Sequence, residues 1–155
     1  MSAVRFFNRQ RTVRLERRFL GRVARALLEE LLGRQDYELG VHFINAAEMA
    51  RINQTFLSHE GSTDVITFDH RDAPGGGPLY GEIFISIDDA LACARRFRVR
   101  WPSEVARYLV HGALHLEGFD DTDAVSRRVM KRRENKLLKE LSARFDLSKM
   151  GRTWR

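Results

Sequence analysis

His111-Gly112-Ala113-Leu114-His115-Leu116-Glu117-Gly118-Phe119-Asp120-Asp121 places two imidazoles one helical turn apart and follows them with carboxylates. In an α-helix, residues i and i+4 share a face with Cβ atoms about 5–6 Å apart, so two ring nitrogens can converge on one ion. Gly118 offers a helix stop, after which the chain can turn back and deliver a third ligand from Asp121. The expected product is a zinc-type site, one Zn2+ per chain, held by His111, His115 and Asp121 with a fourth position open for chemistry. A pair of surface histidines followed by a turn aspartate has the same spacing, so position on the helix matters. On a helical wheel, Val105, Ala106, Leu109, Val110, Ala113, Leu114 and Leu116 share one half-turn. His111 and His115 lie outside it, beside Glu104 and Tyr108, and are not needed as apolar filling.

Zinc proteases carry a Glu directly after the first histidine of such a helix, where it acts as general base. Here that position is Gly112. Peptide hydrolysis is therefore not what the motif favours, whereas a metal acting as Lewis acid on a phosphoryl or carbonyl oxygen remains compatible with it.

The charge balance points to polyanionic partners, with 27 Lys and Arg against 21 Asp and Glu and a net charge of +6. All but four of the basic residues are Arg, whose planar fork binds phosphate in bidentate fashion. Arg95, Arg96, Arg98 and Arg100 precede the metal-bearing helix, and Arg127, Arg128, Lys131, Arg132, Arg133 and Lys136 follow its turn. Positive charge brackets the expected reaction centre, and the pairs Arg95 with Arg96 and Arg132 with Arg133 are the candidate contacts to a polyanion. The single cysteine, Cys93, excludes an internal disulfide and sits among alanines in a packing role. No apolar run approaches the roughly 20 residues that span a bilayer, and the first residues lack the apolar centre of a signal peptide. A cytoplasmic protein without a membrane partner is expected.

A length of 155 residues suits one domain with one core. Residues 4–7 read as an edge strand, 14–32 as an amphipathic helix closed by Gly33, 37–45 as a strand and 47–56 as a short helix. Residues 65–68 and 83–86 read as buried strands, joined through the Gly- and Pro-rich stretch 71–78, which reads as a flexible loop. Helices are expected over 88–97, 103–117 and 123–145. Strands early and helices late imply an α+β fold: a small mixed sheet packed by helices, with the metal site on a helix and its following turn. One metallohydrolase-like domain is expected over 1–147, and 148–155 has too few apolar groups to do more than form a flexible basic tail.

Three ordered blocks carry a family resemblance. The segment 111–121 resembles the His-Gly-x-Leu-His-Leu-x-Gly-(Tyr/Phe)-Asp-His signature of the YbeY family, the bacterial rRNA-maturation endoribonucleases. Ile52-Asn53 with Thr63-Asp64-Val65-Ile66-Thr67-Phe68, and Gly81-Glu82-Ile83-Phe84-Ile85-Ser86, resemble two further family segments, so the likeness spans residues 41–138. It implies a single-strand-specific, zinc-dependent endoribonuclease acting in 16S rRNA 3′-end maturation and ribosome quality control, with ribosomal RNA and ribosomal particles as partners. The candidate polyanion contacts then become RNA contacts. Two departures stand out. Asp121 replaces the family's third His, and Leu57 stands where many relatives carry an Arg that the resemblance assigns to phosphate handling. His59 and the nearby arginines are the candidates to supply that charge. Two other readings stay open: a non-catalytic RNA-binding ribosome-assembly factor with a structural metal, and a metallohydrolase of another substrate.

Overall fold

Apolar residues alternate over 37–44 and 79–86, and because side chains two apart point to one face of a strand, both segments become central strands. The computed structural model describes residues 2–58, 61, 63–73 and 76–154. In chain order the elements are β1 (Ala3–Asn8), β2 (Val13–Leu15), α1 (Arg17–Arg25) running on into a π-helical stretch (Ala26–Leu31), β3 (Tyr37–Ile44) and α2 (Ala46–Leu57). There follow β4 (Val65–Asp69), β5 (Leu79–Ser86), α3 (Ile87–Phe97), α4 (Trp101–Leu116), α5 (Ala124–Arg144), a 3-10 turn (Leu147–Met150) and β6 (Gly151–Thr153). The main sheet has the order β1-β3-β5-β4, with β1, β3 and β5 parallel and β4 antiparallel to β5. This is the expected α+β architecture, a mixed sheet with helices against it. Among the described residues, no helix is long and apolar enough to cross a membrane.

Leu39, Val41 and Phe43 of β3 and Ile83 and Ile85 of β5 are buried in the main core, which they share with α1 and α4. A smaller cluster of Ile44, Met49 and Ile66 seats α2 on the other face. α4 is the most enclosed helix, touching β4, β5, α3, α5 and the 3-10 turn. Two glycines let it lie close to the sheet. A Cβ on Gly112 would come within 2.7 Å of Ile83 Cδ1 and 2.9 Å of its Cγ atoms, and one on Gly81 within 2.6 Å of Leu116 Cδ2. The residue that removes a protease's general base is thus a point of contact between helix and sheet.

The structure corrects the sequence reading at three places. The helical wheel puts Glu104 and Tyr108 outside the apolar half-turn with the histidines, yet both are buried, because α3 and α5 close over that side of α4. The helix expected from residue 14 starts at Arg17, since 13–15 form β2. The expected flexible tail is instead packed onto the domain: Met150 is fully buried, and β6 pairs antiparallel with β2, Val13 opposite Thr153 and Leu15 opposite Gly151. Composition cannot reveal a three-residue strand whose partner lies at the other end of the chain. Of the loop 71–78, Pro74 and Gly75 lie outside the described residues.

Because Met150 fills the core beneath β6, Met150→Ala is expected to lower unfolding free energy by about 2–5 kcal/mol through reduced burial and a residual cavity. Urea unfolding followed by circular dichroism measures this. An unchanged midpoint would mean that the C-terminal strand does not close the core.

Candidate metal centre

α4 ends in a Schellman motif. Gly118 takes φ +98°, its N–H donates to the His115 carbonyl at 3.0 Å, and the Phe119 N–H donates to the Leu114 carbonyl at 3.0 Å. The left-handed residue turns the chain back across the helix end. Asp120 then accepts from the Thr122 N–H at 3.1 Å and hydroxyl at 2.8 Å, and Asp123 caps α5 by accepting from the Ser126 N–H at 2.8 Å. Asp121 is pinned between these two local turns. The helix end is itself fastened, as the Arg34 guanidinium grips Glu117 through two bonds of 2.6 and 2.9 Å. Arg71 donates to the Leu116 carbonyl while paired with Asp69.

This geometry brings the three expected ligands together. The Nε2 atoms of His111 and His115 are 3.2 Å apart, and Asp121 Oδ2 lies 3.6 Å from the first and 3.5 Å from the second. All three side chains are half-buried. A tetrahedral ion with bonds of about 2.0–2.1 Å needs donors about 3.3–3.4 Å apart, so the triangle fits one without rearrangement.

The opposite ring nitrogens fix the tautomers. His111 Nδ1 is 3.1 Å from Glu134 Oε1, and His115 Nδ1 is 3.1 Å from the Phe119 carbonyl oxygen. Ionised carboxylate and carbonyl only accept, so each Nδ1 carries the proton and donates, leaving the Nε2 lone pairs directed toward Asp121. Two lone pairs and a carboxylate oxygen in such proximity repel unless a proton or a cation sits among them. The donor set and its outer hydrogen bonds match the carboxylate–histidine arrangement that orients metal ligands.

Glu134 is the residue that motif reading misses. It is only 4% exposed, and it also meets Lys131 Nζ at 3.2 Å and Arg107 Nη1 at 3.3 Å. Burial pushes its carboxyl upward, but the hydrogen bond to His111 and the charge of Lys131 outweigh this and hold it below the ordinary glutamate value. A signal was present in the sequence: Glu134 interrupts the buried α5 stripe of Met130, Leu137, Leu138 and Leu141.

Two clefts, of about 950 and 670 Å³, meet at the triad and share Asp64, Val65, His111 and Asp121. Together they form a groove across the candidate centre. The larger arm carries Arg107, Arg127, Arg128 and Lys131; the smaller carries Asn53, Leu57, Thr63, Thr67 and Asp69. None of Arg95, Arg96, Arg132 and Arg133 lines either arm. Arg95 faces a separate hollow with Arg98, Arg100 and Arg152, and Arg96 lies over the Phe97 ring. Leu57 is 43% exposed at the smaller arm, and His59 lies outside the described residues. Cys93 lines the larger arm, where burial pushes its thiol up, in keeping with a packing role rather than a nucleophilic one.

Comparison with known proteins gives a consistent picture. The family model described as Endoribonuclease YbeY matches residues 5–142. A relative of that name from an Anaeromyxobacter species is 37% identical over 106 residues, 68% of this chain and 55% of the relative. Another, from Chlorobaculum parvum, is 45% identical over 85 residues, 55% of this chain and 58% of the relative. The chain therefore spans between half and two thirds of the length of these curated relatives. A solution structure of a Thermotoga maritima protein shares the fold, with a TM-score of 0.67 at 22% identity over 92% of this chain and 91% of that one.

The triad is expected to take up one divalent ion, and Glu134→Ala to weaken that binding about 10–100-fold by releasing the His111 ring. Glu134→Gln, which keeps an acceptor, should fall between the two. Competition titration against a zinc-sensitive dye reads all three proteins; equal affinities for parent and Glu134→Ala would remove Glu134 from the centre.

Proposed function

The chain belongs to the YbeY family of endoribonucleases, and from that premise we propose that it is a single-strand-specific, zinc-dependent endoribonuclease. Its proposed substrate is ribosomal RNA within ribosomal particles in the cytoplasm, and its proposed roles are maturation of the 16S rRNA 3′ end and ribosome quality control. One observation supports this most: two imidazole Nε2 atoms and a carboxylate oxygen converge in a groove, one arm of which carries Arg107, Arg127, Arg128 and Lys131.

In this reading His111, His115 and Asp121 hold the ion, and a nitrogen–oxygen donor set of this kind suits zinc. The bound ion would supply Lewis acidity toward a phosphodiester. The chain's own residues do the rest. Glu134 and the Phe119 carbonyl keep both rings in the tautomer that turns Nε2 inward. Arg127, Arg128 and Lys131, along one arm of the groove, attract the backbone and offset charge that develops on the phosphoryl oxygens. Arg95, Arg132 and Arg133 do not line the groove, and Arg96 meets it only through the Phe97 ring; all four would add to the long-range field that gathers RNA.

Leu57 favours a second reading. It places an apolar side chain at the smaller arm, where the resemblance leads one to expect a phosphate-handling Arg, and so suits an RNA-binding ribosome-assembly factor with a structural ion. The two readings separate in one variant. If the centre cleaves RNA, His111→Ala abolishes cleavage of single-stranded RNA yet retains most of the salt-dependent affinity, because the cations that attract phosphate are other residues. If the ion is structural, the same change lowers melting temperature and RNA affinity together, and the parent shows no cleavage that a chelator stops.

The electrostatic part has its own measurement. Replacing Arg127 and Arg128 should reduce the slope of log affinity against log salt by up to about 0.7 for each phosphate that is no longer neutralised, and by more than replacing Arg132 and Arg133. Equal slopes in parent and both double variants would reduce the basic residues to surface solvation.

A further inference from the structure

The groove has a cleft on each side of the triad, but the two arms are chemically unlike. The smaller is lined mainly by polar side chains with Leu57, Val65, Ile66 and Leu116, whereas the larger sets its four cations and the carboxylates of Asp64, Glu104, Asp121 and Glu134 beside an apolar wall of Cys93, Phe97, Val99 and Met130. Phe97 is 60% exposed and Val99 45% exposed. These are large apolar groups left in water within a cleft that also contains His111 and Asp121. Phe97 ends α3, and the next residue, Arg98, takes a left-handed φ of 54° with its N–H bonded back to the helix, which fixes where the ring leaves the helix. The Arg96 guanidinium covers the ring at 5.3 Å from its centroid, leaving the rest of the ring open.

We propose that the larger cleft is a nucleobase pocket, in which one unstacked base of the RNA lies against Phe97 while the adjoining phosphates meet Arg127, Arg128 and Lys131. This inference rests on the reading of the triad as an RNA-cleaving centre. Glu134 engages Arg107 and Lys131, so the choice of occupant rests on Arg127, Arg128 and the exposed end of Lys131: these cations in one cleft with an apolar ring face match a base attached to phosphate rather than a peptide or a lipid chain. The volume of about 950 Å³ is at the upper end of the range of about 300–1,000 Å³ usual for small-ligand sites. The pocket also accounts for strand preference. A base in a duplex is covered on both faces by its neighbours and cannot reach the ring, so only an unpaired nucleotide can place its phosphate at the triad. Every base has a π-face, so stacking on Phe97 selects for single strands without selecting for sequence.

The test uses metal-loaded protein and a short single-stranded RNA carrying 2-aminopurine at one position at a time, read within seconds, before turnover. The parent should quench the probe at one position, and Phe97→Tyr should do the same. Phe97→Ala should abolish the quenching, weaken binding and raise KM by roughly five- to hundredfold, with the salt slope and melting temperature of the parent, because the residue is largely exposed and touches no phosphate. Quenching and affinity that survive Phe97→Ala, with cleavage intact, would overturn the pocket and leave the nuclease reading standing. Phe97-dependent quenching in a protein without cleavage would uphold the pocket and end the nuclease reading.

Discussion

The candidate centre depends on how closely α4 lies against β5. Interiors are packed to near-crystalline density, so a helix is lowered onto a sheet only where side chains are missing. Gly112 over Ile83 and Gly81 beneath Leu116 provide the two missing side chains. A larger residue at 112 would overlap the Ile83 side chain and force either that side chain or the helix carrying His111 and His115 to shift. The depth of α4 also explains its other neighbours. A helix enclosed by sheet on one side and by α3 and α5 on the others leaves only a narrow strip open, and the two imidazoles occupy the part of that strip at the groove floor.

Enclosure makes the electrostatics consequential. Glu134 carries its carboxylate into a nearly dry position, and the His111 ring, Lys131 and Arg107 all lie against it. An unpaired charge there would be costly, so the group is stable only with its partners present, and the same partners hold the His111 ring in one orientation. Charge is thereby turned into geometry. At the other end of the site, the pairs of Arg34 with Glu117 and of Arg71 with Asp69 hold the last turn of α4, so the Schellman turn is fastened on both sides before Asp121 is reached.

Much of this was legible in the residues. The i, i+4 histidines, the Gly118 stop and the returning aspartate are local features. Each follows from helical geometry or from the left-handed φ that glycine tolerates, and the structure reproduces all of them. The central strands and late helices were legible for the same reason, because their periodicity is written into consecutive residues. The resemblance seen in three sequence blocks is matched by a family model spanning 5–142.

What tertiary structure alone decided lies in pairs that are distant along the chain. Glu134 reaches His111 only because α5 folds back over α4, and β6 exists only because β2, at the other end of the chain, offers it an edge. The choice among the basic residues was likewise tertiary: the sequence showed Arg127, Arg128 and Lys131 among the charges that bracket the motif but singled out Arg95, Arg96, Arg132 and Arg133 as contacts, whereas the groove is lined by Arg107, Arg127, Arg128 and Lys131. Spacing along one helix determines which side chains share a face. Which face looks into the groove is set by the packing of whole helices, and no local window contains that information.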